Sequence, residues 1–407
     1  MKTIMIIPAG LYQLPAIIKA KGLGLRVVTA DYLRDNPGHK QAHVSEVISI
    51  VDQNSLLDLA RREKVDGIFT IASDIAVKSV GYIAREMGLV ESMPYTNIDK
   101  ICIKHQFREL QRQSGLPFPA FVPARTFAEF KRGLNEVGLP AVVKPSDSSG
   151  SKGLFVIDQI YPDEQLAAIY HQSLSFSRNK ILCIEQLLNG IHVGGSALVT
   201  GGSVVFYQLT NKYLTQLPLM IPTGHSIPSA LEAGTQAGIM AAIQQVVNLL
   251  DIRVGALDFD ILVTDEDIVI IEMSPRLGGN CIPKIIEYGT GLDLIETAIM
   301  LAMGKQPDIR AHKALPVGVR ILGCSKAGVV SGFKNLQELK EKYKENLIEL
   351  VLDISVGSRV SRFTNGSFRI GHIICKASSL KELDSLLDKI EKELQITVGG
   401  RADSTSN

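Results

Sequence analysis

The chain has 407 residues, enough for two or three domains with full cores. Its 43 Lys and Arg balance 42 Asp and Glu, so it shows no basic footprint for nucleic acid or an anionic membrane surface. Hydrophobic residues make up 45% without any run near the roughly 18 that cross a bilayer. The five cysteines are scattered, with no CxxC and no metal spacing, so reduced thiols and a cytoplasmic location are expected.

Residues 1–98 alternate short apolar runs with helical patterns. Strands are expected at 3–7, 26–30, 46–50 and 67–70, and helices at 14–21, 54–63 and 76–87. That alternation implies a parallel sheet with crossover helices. The first apolar run stops at Pro8, Ala9 and Gly10, which reads as a buried strand and turn rather than a secretory signal. Folds of this kind place ligands at such a turn. Asp31 ends the second strand as a ribose-binding acid would, but G-x-G-x-x-G is absent, which argues against NAD. Pro37 to Lys40 and the pair Ser73 and Asp74 fall at later strand ends, as substrate contacts or as turn and capping residues.

Thr96, Asn97 and Asp99 offer caps for a helix running to Gln113, where Gly115 and Pro117 stop it. A mixed pattern follows, with a helix at 127–137, strands at 140–144, 154–158, 182–186, 194–199 and 203–209, and a helix at 232–250. Past Pro307 the chain is β-rich again, with a turn at Asn365 and Gly366 and a helix at 380–394. The division expected is 1–98, 99–309 with a mobile lobe at about 118–189, 310–402, and a polar, disordered tail at 403–407.

Two segments carry chemistry. Extended runs at 255–263 and 268–273, joined by an acidic turn, form a hairpin that gathers Asp258, Asp260, Glu272 and Ser274, with Arg276 just beyond. Residues i and i+2 share a strand face, so each strand aims two oxygen groups one way. Hard oxygen ligands suit Mg²⁺, and the arginine suits a transferring phosphoryl group or a carboxylate. The second segment is Lys144 at the end of a buried strand, followed by a loop at 146–153 that includes Ser149, Gly150 and Ser151. Small residues there let backbone N–H groups reach phosphate oxygens, with Lys144, and Lys152 as the loop closes, as point charges. A plain hairpin connection is the alternative. The pattern is not a Walker A motif, because GxxxxGK[ST] is missing.

Lys104, Lys144 with its loop, Glu185, Gln186, Leu187 and Leu188, then Asp260, Glu272, Ser274 and Arg276 occur in the order seen in ATP-grasp enzymes. The resemblance covers roughly 98–307. It implies a parallel α/β domain ahead of a two-lobed ATP-grasp domain, followed by a small β-rich C-terminal domain, an α/β and α+β protein. It also implies ATP at Lys104, Lys144, the Ser149–Ser151 loop and Glu185–Leu188, with His192 at the ribose. Mg²⁺, with Mn²⁺ as a substitute, would sit on Asp260, Glu272 and Ser274. Arg276 and Lys144 would be the catalytic pair. Two positions depart from the family: Ser274 stands where Asn is common, and His192 where a ribose-binding glutamate is common.

His225, Gly279, Asn280 and Asp258 are candidate substrate contacts, with loop structure, a tight turn and support of the metal acids as their alternatives. Arg320 and Arg369 are candidates for reaching the site, and Cys281 reads as a packing residue. The chain most resembles the carbamoyl-phosphate-synthase-like and biotin carboxylase-like group. The activity this implies is an ATP-dependent ligase that activates a carboxylate as an acyl phosphate for attack by an amine. The alternatives are a purine-pathway enzyme using formate or bicarbonate with a ribonucleotide, and a non-catalytic ATP-binding protein. The expected partners are small-molecule acids and amines, with no nucleic acid and no membrane; the resemblance allows a homodimer.

Overall fold

The computed structural model describes residues 1–399. Its N-terminal part consists of β1 (Thr3–Ile6), α1 (Leu14–Gly22), β2 (Arg26–Asp31), β3 (Val44–Val47), α2 (Gln53–Arg62), β4 (Gly67–Phe69) and α3 (Asp74–Met87). The strands form a parallel sheet in the order β3-β2-β1-β4, with Thr3 opposite Arg26 and Ile4 opposite Gly67. Alternate β1 residues feed two cores: Ile4 and Ile6 join Ile17 and Phe69, while Met5 and Ile7 join Leu56 and Ile83. A parallel sheet covered by helices on both faces needs this double burial. β3 starts two residues before its expected position, because Val44 pairs with Val28 and packs on the Leu56 cluster.

The single helix expected from Thr96 to Gln113 is two helices, α4 (Ile98–Cys102) and α5 (Lys104–Ser114). Ile103 is extended between them, and the Lys104 amide donates to the Ser146 carbonyl at 2.9 Å instead of to its own helix. That break places Lys104 at a helix start, facing the next lobe. The lobe contains β5 (Phe121–Ala124), α6 (Phe127–Val137), β6 (Ala141–Pro145), β7 (Phe155–Ile157), α7 (Asp163–Ser175) and β8 (Leu182–Gln186), with an antiparallel sheet ordered β5-β8-β6-β7. Thr126 and Glu129 close a capping box on α6. Phe130, Tyr170, Leu182 and Ile184 give the lobe its own core.

The body contains β9 (Ile191–Thr200), β10 (Ser203–Leu214), β11 (Pro222–Ile227), α8 (Ala233–Leu249), β12 (Val254–Val263), β13 (Ile268–Ser274), α9 (Ile282–Thr290) and α10 (Leu294–Ala302). The C-terminal part adds β14 (Val317–Gly323), β15 (Gly328–Gly332), α11 (Leu336–Lys342), β16 (Leu347–Leu352), β17 (Arg359–Val360), β18 (Arg369–Lys376), α12 (Leu380–Leu394) and β19 (Thr397–Gly399). One eight-stranded sheet, ordered β13-β12-β9-β10-β11-β14-β18-β16, runs through both parts. It crosses the position where a domain boundary was expected at 309–310. At the β11–β14 seam, a Cβ on Gly224 would lie 2.4 Å from the Val319 carbonyl oxygen, so the close approach requires glycine. The short strands β17, β15 and β19 form a separate sheet. Among the described residues no helix is long and apolar enough to cross a membrane. The tail expected at 403–407 lies outside the described residues.

Candidate active site

In the β12–β13 hairpin, Asp258 lies opposite Ser274 and Asp260 opposite Glu272, so all four face one way as the i, i+2 spacing implies. The four do not share one environment. Side chains of Asp260 and Glu272 are 36% and 33% exposed, open to the cleft below the lobe, and each is met by one lysine. Lys212 Nζ of β10 lies 2.6 Å from Asp260, and Lys104 Nζ lies 3.1 Å from Glu272. Burial works against the Asp260 charge, but Lys212 outweighs it and the carboxyl is held below its usual range. Burial likewise opposes the charge on Lys104, and Glu272 reverses the effect, raising it.

Lys104 also donates from Nζ to the Ser148 carbonyl at 2.5 Å, so one side chain ties the hairpin to the 146–153 loop. Gly150, Ser151 and Gly153 all have positive φ, which makes the loop a tight structure presenting backbone to the cleft. Asp147 anchors its stem by accepting from the Ser177 hydroxyl and the Arg178 and Asn179 amides. At its tip, the Gly150 carbonyl accepts from the Gly366 amide at 3.3 Å, and Ser151 Oγ donates to the Met220 carbonyl at 3.5 Å. Ser149 is half-buried and Lys152 is exposed.

Lys144 is buried, with Nζ 2.6 Å from Glu185. Glu185 also receives Arg108 of α5, fully buried, at 3.1 Å from Nε. Burial pushes this carboxyl up, but Arg108 and Lys144 win and hold it at about 2. Glu185 therefore fixes Lys144 and is itself only 2% exposed, closer to the structural acid than to a direct nucleotide contact. Gln186 is exposed, and its amide donates to the Ala120 carbonyl. The Leu187 amide donates to the Pro140 carbonyl, and Leu187 and Leu188 are partly exposed where the chain enters β9. His192 on β9 is half-buried, and burial and Lys212 lower its pKa against the pull of Asp260.

Arg276 is buried between two carboxylates. Its Nε donates to Asp74 Oδ1 at 2.9 Å and its Nη1 to Asp258 Oδ2. Asp74, at the start of α3, is thus a partner of the arginine rather than a substrate contact. Burial pushes Asp258 up to about 6 despite Arg276, and Asp260 adds repulsion. Ser274 is 2% exposed, and its buried Oγ makes no hydrogen bond of ordinary geometry. One expected contact needs correction: His225 is 2% exposed, holds Thr210 Oγ1 at 2.9 Å, and is pushed by burial and Lys212 down to about 3, so it is a buried, neutral partner of Thr210 and not an exposed substrate contact. At Gly278 an added Cβ would lie 2.3 Å from Asp258 Oδ1, so the chain passes close beside that carboxylate. Gly279 packs on Tyr12 and Ala72, and Asn280 adopts a positive φ of 50°. Of the C-terminal arginines, Arg369 stacks over Tyr12, 4.5 Å from its ring centre, while Arg320 pairs with Asp388 on α12.

Arg108 escaped sequence reasoning, because it lies on an element distant in the chain from its partner and carries no local motif.

A magnesium ion fits this donor set. Two facing, partly exposed carboxylates leave room for phosphate oxygens and water, which a small hard cation keeps in its shell. Ser274 Oγ, buried beside Asp74, is a further oxygen in the group. Among the described residues no three His, Cys, Asp or Glu side chains form a complete protein cage.

The ATP-grasp domain family matches residues 137–284. The uncharacterized protein y4rH of Sinorhizobium fredii (strain NBRC 101917 / NGR234) is 24% identical over 337 residues, 82% of this chain and 69% of that protein. Carnosine synthase 1 of Mus musculus is 24% identical over 316 residues, 72% of this chain; the match spans only 38% of that protein. The crystal structure of an L-amino acid ligase from Bacillus licheniformis superposes with a TM-score of 0.84 at 20% identity, covering 98% of this chain and 99% of that one. Residues 137–284 are an ATP-grasp domain, and over 98% of its length the chain shares the fold of that ligase.

Proposed function

We propose that the chain is an ATP- and Mg²⁺-dependent ligase that activates a carboxylate as an acyl phosphate and joins it to an amine. The observation that carries this reading is the pair of facing, partly exposed carboxylates Asp260 and Glu272, with Lys104 bridging from Glu272 to the glycine-rich loop. Bound MgATP would supply the phosphoryl group and the cation that screens its charge. Asp260, Glu272 and the buried Ser274 Oγ would hold the metal, and Lys144, fixed by Glu185, would meet phosphate oxygen. Lys104 and Lys212, paired with these carboxylates here, would supply positive charge to the bound anion. The loop with Ser149, Gly150 and Ser151 covers the phosphates and excludes water, and Gln186, Leu187 and Leu188 line the base. Arg276, held by Asp74 and Asp258, sets the floor near the transferring group. Most of the acceleration then comes from positioning and fixed charge.

The names of the compared proteins, an L-amino acid ligase and a carnosine synthase, support amino acids as acid or amine. All five cysteines are unpaired, which supports a reducing, cytoplasmic setting. The test is phosphate release from ATP and Mg²⁺ across a panel of amino-acid pairs. A productive pair is expected to release phosphate with Mg²⁺ and none with EDTA. Glu272→Gln and Asp260→Asn should each lower turnover about 10²–10³-fold, the scale of losing one preorganised charged contact. ATP binding without turnover on every pair would favour the non-catalytic alternative.

A further inference from the structure

Arg108 and Arg276 are buried with acceptors around them, but Arg369 on β18 is not matched in this way. Its side chain is 9% exposed. Among the described residues its polar partner is Asp353, 3.3 Å from Nη2, and its Nε is buried with no hydrogen bond. The Tyr12 ring covers one face of the guanidinium, with its centre 4.5 Å away. A buried guanidinium with open donors is costly unless something accepts from them.

The fold carries this arginine to the edge of the cleft. Pairing of β14 with β18 runs from Leu322 opposite Gly371 to Gly323 opposite Arg369, so Ile370 is an extra residue that bends the start of β18. Tyr12 follows the turn past the C-terminal end of β1, where parallel sheets place ligands. A Cβ on Gly279 would lie 3.5 Å from the Tyr12 ring, so Tyr12 flanks the loop that follows Arg276. The Tyr12 hydroxyl donates to the Gly366 carbonyl at 3.3 Å, and the Gly366 amide donates to the Gly150 carbonyl at 3.3 Å. Through Tyr12, Arg369 therefore stands between the loop after the hairpin and the tip of the 146–153 loop.

We propose that Arg369, seated on Tyr12, anchors a free carboxylate of the amine substrate, so that the acceptor is an amino acid rather than a simple amine. This rests on the ligase reading. The reacting acid belongs with Asp260, Glu272 and Arg276 on the hairpin, whereas Arg369 enters from the C-terminal sheet and pairs with none of them. The anion it holds is therefore a second one. The forked N–H groups of a guanidinium match a carboxylate. Asp353 already offsets part of the arginine's charge, which suits a single negative charge better than a doubly charged phosphate.

The test has two arms, both on the full chain. In the first, melting is followed with Mg²⁺ and a non-hydrolysable ATP analogue, adding either an equimolar amino-acid mixture or the matching α-amides. The amino acids should raise the wild-type melting temperature by about 2 °C or more, and the amides should not. Arg369→Met should lose that shift, and Arg369→Lys, which keeps the charge without the fork, should keep only part of it. If Arg369→Met does not fold, Arg369→Lys carries the comparison. In the second arm, on a pair that releases phosphate, Arg369→Met should raise KM for the amine about 10²-fold and leave KM for ATP within about twofold, a split that general loosening does not give. Equal shifts from acids and amides, a wild type unmoved by amino acids, or a folded variant that matches the wild type in shift or in amine KM overturns the proposal. A shift with inorganic phosphate but not with amino acids also overturns it, in favour of a phosphoester acceptor. Phosphate release from no pair, with the Arg369-dependent melting shift present, refutes the ligase reading and supports the anchor.

Discussion

Glu185 shows how one residue can serve a site it never enters. It is enclosed by Arg108 and Lys144, and Arg108 further donates to the Ile270 and Ile271 carbonyls at 3.1 and 2.6 Å, tying α5 to β13. Charges this deep are costly unless every partner is present, so removing one partner is worse than never having built the group. Glu185→Gln should therefore destabilise the protein by about 3–5 kcal/mol, read as a lower urea midpoint at pH 7. The sign with pH follows from its depressed pKa: the contribution is full above the ordinary value of 4.5 and is lost as pH falls through about 2. A midpoint shift below about 1 kcal/mol would mean the cluster is screened as a surface pair is.

At the scale of elements, the hairpin and the loop after it act as one device. Gly278 lets the chain turn against Asp258, and a methyl there would meet Oδ1 at 2.3 Å. Gly278→Ala should push Asp258 off Arg276 and lower turnover at least tenfold, with a stability cost of about 1–3 kcal/mol. Loss of turnover without a change in melting would locate the effect in the site; full activity would show that the loop yields freely. The hairpin was legible beforehand because its information is local: two strands, a short turn and the i, i+2 spacing fix which side chains share a face. The pairings were not, since Lys212 and Lys104 reach the two acids, and Asp74 reaches Arg276, from strands and helices set by topology. The break at Ile103 was also hidden, because its cause is a hydrogen bond to Ser146, 42 residues on from Lys104 by numbering. Helices α7, α9 and α10 were not expected from the pattern. α10 is apolar on nearly every side, with six of its nine residues buried, so it lacks the polar face that marks a surface helix.

Over the whole molecule, the nucleotide-binding body and the C-terminal part are fastened by the continuous sheet and by the Glu349 clasp. Glu349 on β16 takes Lys284 and Tyr288 from α9 and His372 from β18, so one carboxylate joins three elements. Its pKa is held at about 2: burial raises it, and His372, Lys284 and Tyr288 together lower it further. Its stabilising effect is thus complete above the ordinary value of 4.5 and is lost only as pH falls through about 2. His372 behaves in the opposite sense. Its folded value of about 9 exceeds the ordinary 6.5, so its contribution is complete below 6.5 and disappears as pH rises through 9. The clasp is therefore strongest between 4.5 and 6.5 and weakens across the alkaline side of neutrality. Asp258, raised to about 6, also contributes stability that is lost with rising pH, but its window closes near 6. The two effects separate in a difference measurement. Melting temperatures of the wild type and of Glu349→Gln, taken from pH 5 to pH 9.5, should lie farthest apart near pH 6 and converge toward pH 9.5. A gap that stays constant across that range would show that Glu349 acts through Lys284 and Tyr288 alone, with His372 a neutral bystander.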